Sequence, residues 1–96
     1  MDKLVYQVND SLIALTEQKN EGDVEFLIKA KTDEALNRLR AVRQFFDSDK
    51  IYTDILFYSR KNGEFQVIVR KNVYAPFIAH LFQLQLIRSV SWKNIS

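Results

Sequence analysis

The dipeptide Asn62-Gly63 lies between IYTDILFYSRK (residues 51–61) and EFQVIVRK (64–71), and it constrains this chain more than any other feature. The flanking runs are rich in β-branched and aromatic residues. Asn-Gly supplies two residues that tolerate the positive φ demanded by a type I′ turn, so the segment reads as a β-hairpin. A two-residue turn sets the register: Lys61 faces Glu64, Arg60 faces Phe65, Tyr58 faces Val67 and Leu56 faces Val69. Side chains alternate between the faces of a strand. One face then carries Leu56, Tyr58, Phe65, Val67 and Val69, and is the expected core face. The other carries Ile55, Phe57 and Ile68 among Ser59, Gln66 and Arg70.

The segments around the hairpin complete a pattern. Val24, Phe26, Ile28 and Ala30 alternate with Glu25 and Lys29, the period of a half-buried strand. Thr32 is a good N-cap, and Asp33 and Glu34 favour the positive end of a helix dipole. Leu36, Leu39, Val42, Arg43 and Phe46 follow at helical spacing, and the polar run DSDK at 47–50 should end that helix. After the hairpin, Asn72 can cap a helix from Val73 to about Ile87, with Pro76 in its first turn, where a missing N–H costs little. Tyr74, Phe77, Ile78, Leu81, Phe82, Leu84, Leu86 and Ile87 surround nearly the whole cylinder, as in a buried or interfacial helix. RSVSWK (88–93) reads as a last strand.

The order strand, helix, strand, strand, helix, strand predicts an α+β, ferredoxin-like βαββαβ core over residues 23–93. Such a core is an antiparallel sheet with both helices on one face. Residues 1–22 form an N-terminal extension. They read either as a hairpin around Asn9-Asp10 or as a strand and a short helix capped by Ser11. All 96 residues are expected to form one domain.

Composition excludes several classes. With 47% hydrophobic and 27% charged residues, two glycines and one proline, the chain is neither disordered nor loop-dominated. It has no cysteine, so disulfides, thiolate nucleophiles and Cys-based zinc sites are excluded. The start MDKLVYQVND lacks the basic and apolar regions of a signal peptide. The longest apolar stretch, 77–87, is interrupted by His80, Gln83 and Gln85 and is shorter than the roughly twenty residues of a membrane span. A cytoplasmic protein without a membrane partner is the expectation.

Catalytic material is sparse. His80 is the only histidine, and its plain reading is a polar position beside Gln83 on the wet strip of the second helix. Asp47 and Asp49 form an Asp-Ser-Asp turn without the glycine and distal glutamate of a calcium loop, and read as a solvated turn. There is no Gly-x-Ser-x-Gly elbow and no phosphate-binding glycine loop. No catalytic, cofactor-binding or metal-ligating residue is assigned, and the chain is expected not to be an enzyme.

The formal net charge is +2, and basic residues gather at Arg60-Lys61, at Arg70-Lys71 and along Arg38, Arg40 and Arg43. Ferredoxin-like sheets bind RNA in the RNA-recognition motif by stacking bases on aromatics of the two central strands. This chain resembles that family in the order of its elements. In place of the family's basic-Gly-aromatic run it has Asn62-Gly63-Glu64-Phe65-Gln66-Val67. Arg60, Lys61, Arg70 and Lys71 are the candidate contacts of a nucleic-acid reading.

The open sheet face is the most informative feature. Leu27, Ile55, Phe57 and Ile68 are expected to point away from the helices, and such a cluster should not stay wet. The N-terminal segment, a second copy of the chain, or a protein or apolar ligand can cover it. The leading expectation is a non-enzymatic protein–protein interaction or regulatory domain that self-associates, as a homodimer, through these four residues. The alternative is the nucleic-acid binder. A small-ligand-binding domain or enzyme with a pocket near His80 comes third.

Overall fold

Val24, Phe26 and Ile28 form the inner side of a strand that is paired on both edges, and the fold is organised around it. The computed structural model describes residues 2–48 and 54–94. Its elements are β1 (Asp2–Val8), β2 (Ile13–Lys19), β3 (Asp23–Ala30), α1 (Asp33–Ser48), β4 (Ile55–Ser59), β5 (Glu64–Arg70), α2 (Tyr74–Gln83) and β6 (Ile87–Asn94). Short 3₁₀ turns at Lys61–Gly63 and Lys71–Val73 flank β5. Asp49 and the start of the expected hairpin strand, residues 51–53, lie outside the described residues.

The protein is a mixed α+β fold with two antiparallel sheets. The main sheet has the order β2-β3-β5-β4, and a separate two-stranded ribbon pairs β1 with β6. The ferredoxin-like expectation therefore fails at its last strand. The edge position beside β3 is taken by β2, from Ile13 opposite Ala30 to Lys19 opposite Val24. β6 instead runs along β1, with Leu4 opposite Trp92 and Tyr6 opposite Val90. β1 and β2 are not a hairpin, and no helix follows β1. Asn9 turns the chain between them. Its carbonyl accepts from the N–H groups of Leu12 and Ile13, its own N–H donates to Leu86 O at 3.0 Å, and its side-chain amide donates to Gln85 O at 2.9 Å. One residue thus ties the end of β1 to the start of β6 and sends β2 to the other sheet.

Both helices lie on one face of the main sheet, as expected. Phe77 of α2 packs on Phe26 of β3 at 5.0 Å between ring centroids and on Phe57 of β4 at 6.1 Å. Phe46 of α1 stacks on the same Phe57 at 6.3 Å. Ala35, Leu39, Val42 and Phe46 give α1 its buried stripe, and Thr32 caps it by accepting from Ala35 N at 3.0 Å. The ribbon adds Leu4, Tyr6, Val8 and Val90 to the edge of this core.

α2 is shorter than its apolar residues suggest. It stops at Gln83, where Gln85 N–H donates to Phe82 O and Leu86 N–H to Leu81 O, both at 3.0 Å. Gln85 takes the left-handed conformation, φ 65°. This is the reversal that ends many helices, and Leu81 and Leu86, which it joins, are both fully buried. Arg38 of α1 donates to Leu84 O at 3.0 Å and satisfies another terminal carbonyl. Leu84, Leu86 and Ile87 therefore belong to the turn and to β6. Among the described residues no helix is long and apolar enough to cross a membrane.

Candidate interaction surface

The open face of the main sheet is set by the β4–β5 register, which is one residue away from the two-residue-turn expectation. Ile55 stands opposite Val69, Leu56 opposite Ile68, Phe57 opposite Val67 and Tyr58 opposite Gln66. Arg60 N–H donates to Glu64 O at 2.8 Å, so the connection is the three residues Lys61–Gly63. Asn62 and Gly63 both have positive φ, 63° and 71°, as the Asn-Gly argument requires. Lys61 joins them in the loop. Because the side-chain period is two, that single residue moves all of β4 to the opposite face.

Two of the four expected surface residues are thereby corrected. Ile55 and Phe57 point to the helices and are buried, at 5% and 9% exposure. Leu56 and Tyr58, expected in the core, stand on the open face, each 49% exposed. Leu27 and Ile68 occupy that face as expected, the first exposed and the second half-buried. The physical reason is that Ile55, Leu56, Phe57 and Tyr58 are all large and apolar, so either register buries a comparable pair.

The open face has an ordered polar element at its centre. Gln66 lies between Leu27 on β3 and Tyr58 on β4. Its carbonyl oxygen accepts from Arg60, and its amide donates to Glu25. The Gln66 amide thus has a partner for its oxygen and for one N–H before anything lands on the sheet. Thr16 and Gln18 of β2 complete the rows of Leu27 and Glu25. No described segment of the chain crosses this face, because the N-terminal strands pair at a sheet edge and in the ribbon.

The four candidate nucleic-acid contacts do not converge. Arg60 and Lys61 precede β5 and Arg70 and Lys71 end it, so the strand separates the pairs by roughly 20 Å at about 3.3 Å per residue. Arg60 is engaged with Gln66 and lies 4.0 Å from Glu64, and Arg70 lies 3.7 Å from Asp54. Lys61 is exposed at the hairpin tip. Phe65 is buried in the core, so it is not a stacking platform on the open face.

Two clefts flank the sheet on its helix side. One, of about 550 Å³, lies between α1 and the hairpin and is lined by Arg40, Arg43, Asp47, Ser59 and Arg60 among others. Arg43 is already bonded to Ser59 and lies 3.4 Å from Asp47. The other, of about 410 Å³, lies between the ribbon and the main sheet and is lined by Lys3, Leu4, Lys19, Val24, Lys71, Tyr74, Ala75 and Trp92. Sequence reasoning missed this second cleft. Its lysines come from three separate segments, and β6 was expected in the main sheet.

Three titratable side chains sit at the junction of ribbon, sheet and α2. The Tyr74 hydroxyl donates to Glu17 Oε1 at 2.6 Å. Burial pushes Tyr74 well above the ordinary tyrosine value, and its bond to the Glu17 carboxylate adds to this. Burial raises Tyr6 as well, and the Glu17 charge and a hydrogen bond to it add to the effect. On α2, His80 stacks flat on Phe45 of α1 at 4.1 Å and meets Phe46 edge-on at 5.3 Å. Burial holds His80 below its ordinary value, against an opposing hydrogen bond with Gln83. Among the described residues no three His, Asp or Glu side chains gather closely enough to hold a metal ion.

No protein-family model, no curated protein and no solved structure matches this chain.

Proposed function

We propose that the protein is a non-enzymatic interaction domain that self-associates through the open face of its main sheet. One observation carries this reading: Leu27, Leu56, Tyr58 and Ile68 share a face that no described part of the same chain covers. At roughly 25 cal/mol per Å² of apolar surface, burying these side chains is worth several kcal/mol.

A second copy fits this face by charge. Glu25 stands beside Ile68, and beyond that row the end with Asp23, Asp54 and Arg70 is net acidic. Beyond Tyr58, the end with Lys29, Arg60 and Glu64 is net basic. A two-fold axis lying across the strands lays the acidic end of one copy over the basic end of the other, and isologous pairs are the commonest oligomers. The prearranged bonds of Gln66 give its amide oxygen and one of its N–H groups a partner before burial. The four-stranded face has a footprint of only about 400 Å², taking about 4.8 Å per strand and about 20 Å of length. Two such footprints make about 800 Å², below the roughly 1,200–2,000 Å² of stable specific interfaces, so the dimer is expected to be weak and concentration-dependent.

The test is sedimentation equilibrium from micromolar to millimolar protein, on the native chain and on Leu56→Glu. Self-association of the native chain that Leu56→Glu abolishes supports the proposal. A native chain that stays monomeric throughout contradicts it.

A further inference from the structure

The cleft between the β1–β6 ribbon and the main sheet has a chemistry that the sheet-face reading does not use. Lys19 ends β2 on the helix side of the sheet, two residues beyond Glu17. Lys71 lies in the turn before α2, and Lys3 stands at the outer end of the ribbon. All three line the cleft. No acidic side chain lines it, and none of the three lysines forms an ion pair among the described residues. Tyr74 and Ala75 bring the first turn of α2 to the same place, where the helix dipole also favours negative charge. Like charges drawn together from three segments repel one another, and an anion between them removes that repulsion.

The cleft is also built for a flat apolar group. Leu4 and Val24 line it with Tyr74. Trp92 stands opposite Leu4, on the ribbon face that carries the inward-pointing Tyr6 and Val90, yet it is 63% exposed. An exposed indole beside cations is the arrangement that stacks a base while lysines meet its phosphate, and stacking of this kind is sequence-tolerant. The volume of about 410 Å³ falls within the roughly 300–1,000 Å³ of small-ligand sites.

We propose that this cleft binds a nucleotide unit, with the base stacked on Trp92 and the phosphate held by Lys19 and Lys71, with Lys3 at the rim. The unit can be a free mononucleotide or one residue of a single strand. Arg60 and Lys61, at the other end of β5, take no part.

Trp92 is the only tryptophan, so its fluorescence reports on the cleft directly. The titration uses adenosine monophosphate and, separately, a six-nucleotide thymidine single strand, at low salt and again at higher salt. The native chain is compared with the double variant Lys19→Glu/Lys71→Glu and with Lys61→Glu, at an exposed lysine of the hairpin tip, and circular dichroism checks that each is folded. Saturable quenching is expected in the native chain, weakened about tenfold or more by the double variant, unchanged by Lys61→Glu and reduced by salt. Quenching by the mononucleotide assigns a free ligand, and quenching by the single strand alone assigns a nucleic-acid contact. Absence of quenching by both at low salt overturns the proposal. So does quenching that the folded double variant retains in full.

Discussion

Leu56 of β4 stands opposite Ile68 of β5, and both point away from the helices. Their neighbours in sequence, Ile55 and Val69, form the next pair and point inward. Adjacent residues of β4 should therefore respond in opposite ways to substitution. Ile55→Ala should destabilise the fold by about 2–5 kcal/mol, as truncations of buried Ile do. Leu56→Ala should change monomer stability by no more than about 0.5 kcal/mol, as for exposed positions. Urea unfolding of both variants at low concentration checks this. The reverse ranking would mean that the two-residue turn is the true one.

Gln85 ends α2 in a conformation that favours glycine. Its side chain also accepts from Arg38 at 3.3 Å, an exposed contact of small value. Gln85→Gly should therefore stabilise the protein by roughly 0.5–1 kcal/mol, the relief of a left-handed non-glycine residue less the added freedom of the unfolded chain. A rise in the urea midpoint with unchanged slope is the expected result.

His80 is held below its ordinary value near 6.5 by burial, where its ring stacks on Phe45. The folded state therefore favours neutral imidazole. This contribution to stability is complete above pH 6.5 and is lost as pH falls through the depressed folded-state value, since the unfolded chain then binds the extra proton. The His80 ring resonances in an NMR titration should show a midpoint below 6.5. His80→Leu should lessen the fall in stability between pH 7 and 5. A midpoint at or above 6.5 would contradict the packing described for this ring.

The Glu17 carboxylate accepts from Tyr74 and interacts with Tyr6, linking ribbon, sheet and α2. Both phenols are held above their ordinary value near 10. Stability should thus be lost as pH rises past 10, where the unfolded chain ionises and the folded one resists. Tyr74→Phe should cost about 1.5–3 kcal/mol, from a hydrogen bond to a charged group. Glu17→Gln should bring the tyrosine absorbance transition to lower pH. An unchanged transition in Glu17→Gln would remove the carboxylate from this account.

Much of the core was legible from residue patterns. Thr32 caps α1, Val24, Phe26 and Ile28 line the inner face of β3, and Asn62-Gly63 turns between β4 and β5. Two features were not legible, for physical reasons. Four consecutive large apolar residues, Ile55–Tyr58, remove the alternation that pins a register, so the loop length decided it. β6 reads as a strand but carries no mark of its partner. That was settled by Asn9, whose bonds to Gln85 and Leu86 join segments 76 residues apart. Of the candidate surface, Leu27 and Ile68 were found and Leu56 and Tyr58 were missed, all through the same slip. The lysines around Trp92 have no motif, because their meeting depends on the β1–β6 pairing.

The most direct measurement is sedimentation equilibrium of the native chain, from micromolar to millimolar concentration, beside Leu56→Glu and Arg88→Glu. Arg88 is an exposed residue of β6, away from the main sheet. The native chain and Arg88→Glu should shift from the 11.3 kDa monomer toward twice that mass, while Leu56→Glu should remain at 11.3 kDa. A native chain monomeric at every concentration, or a dimer that Leu56→Glu leaves intact, would contradict this.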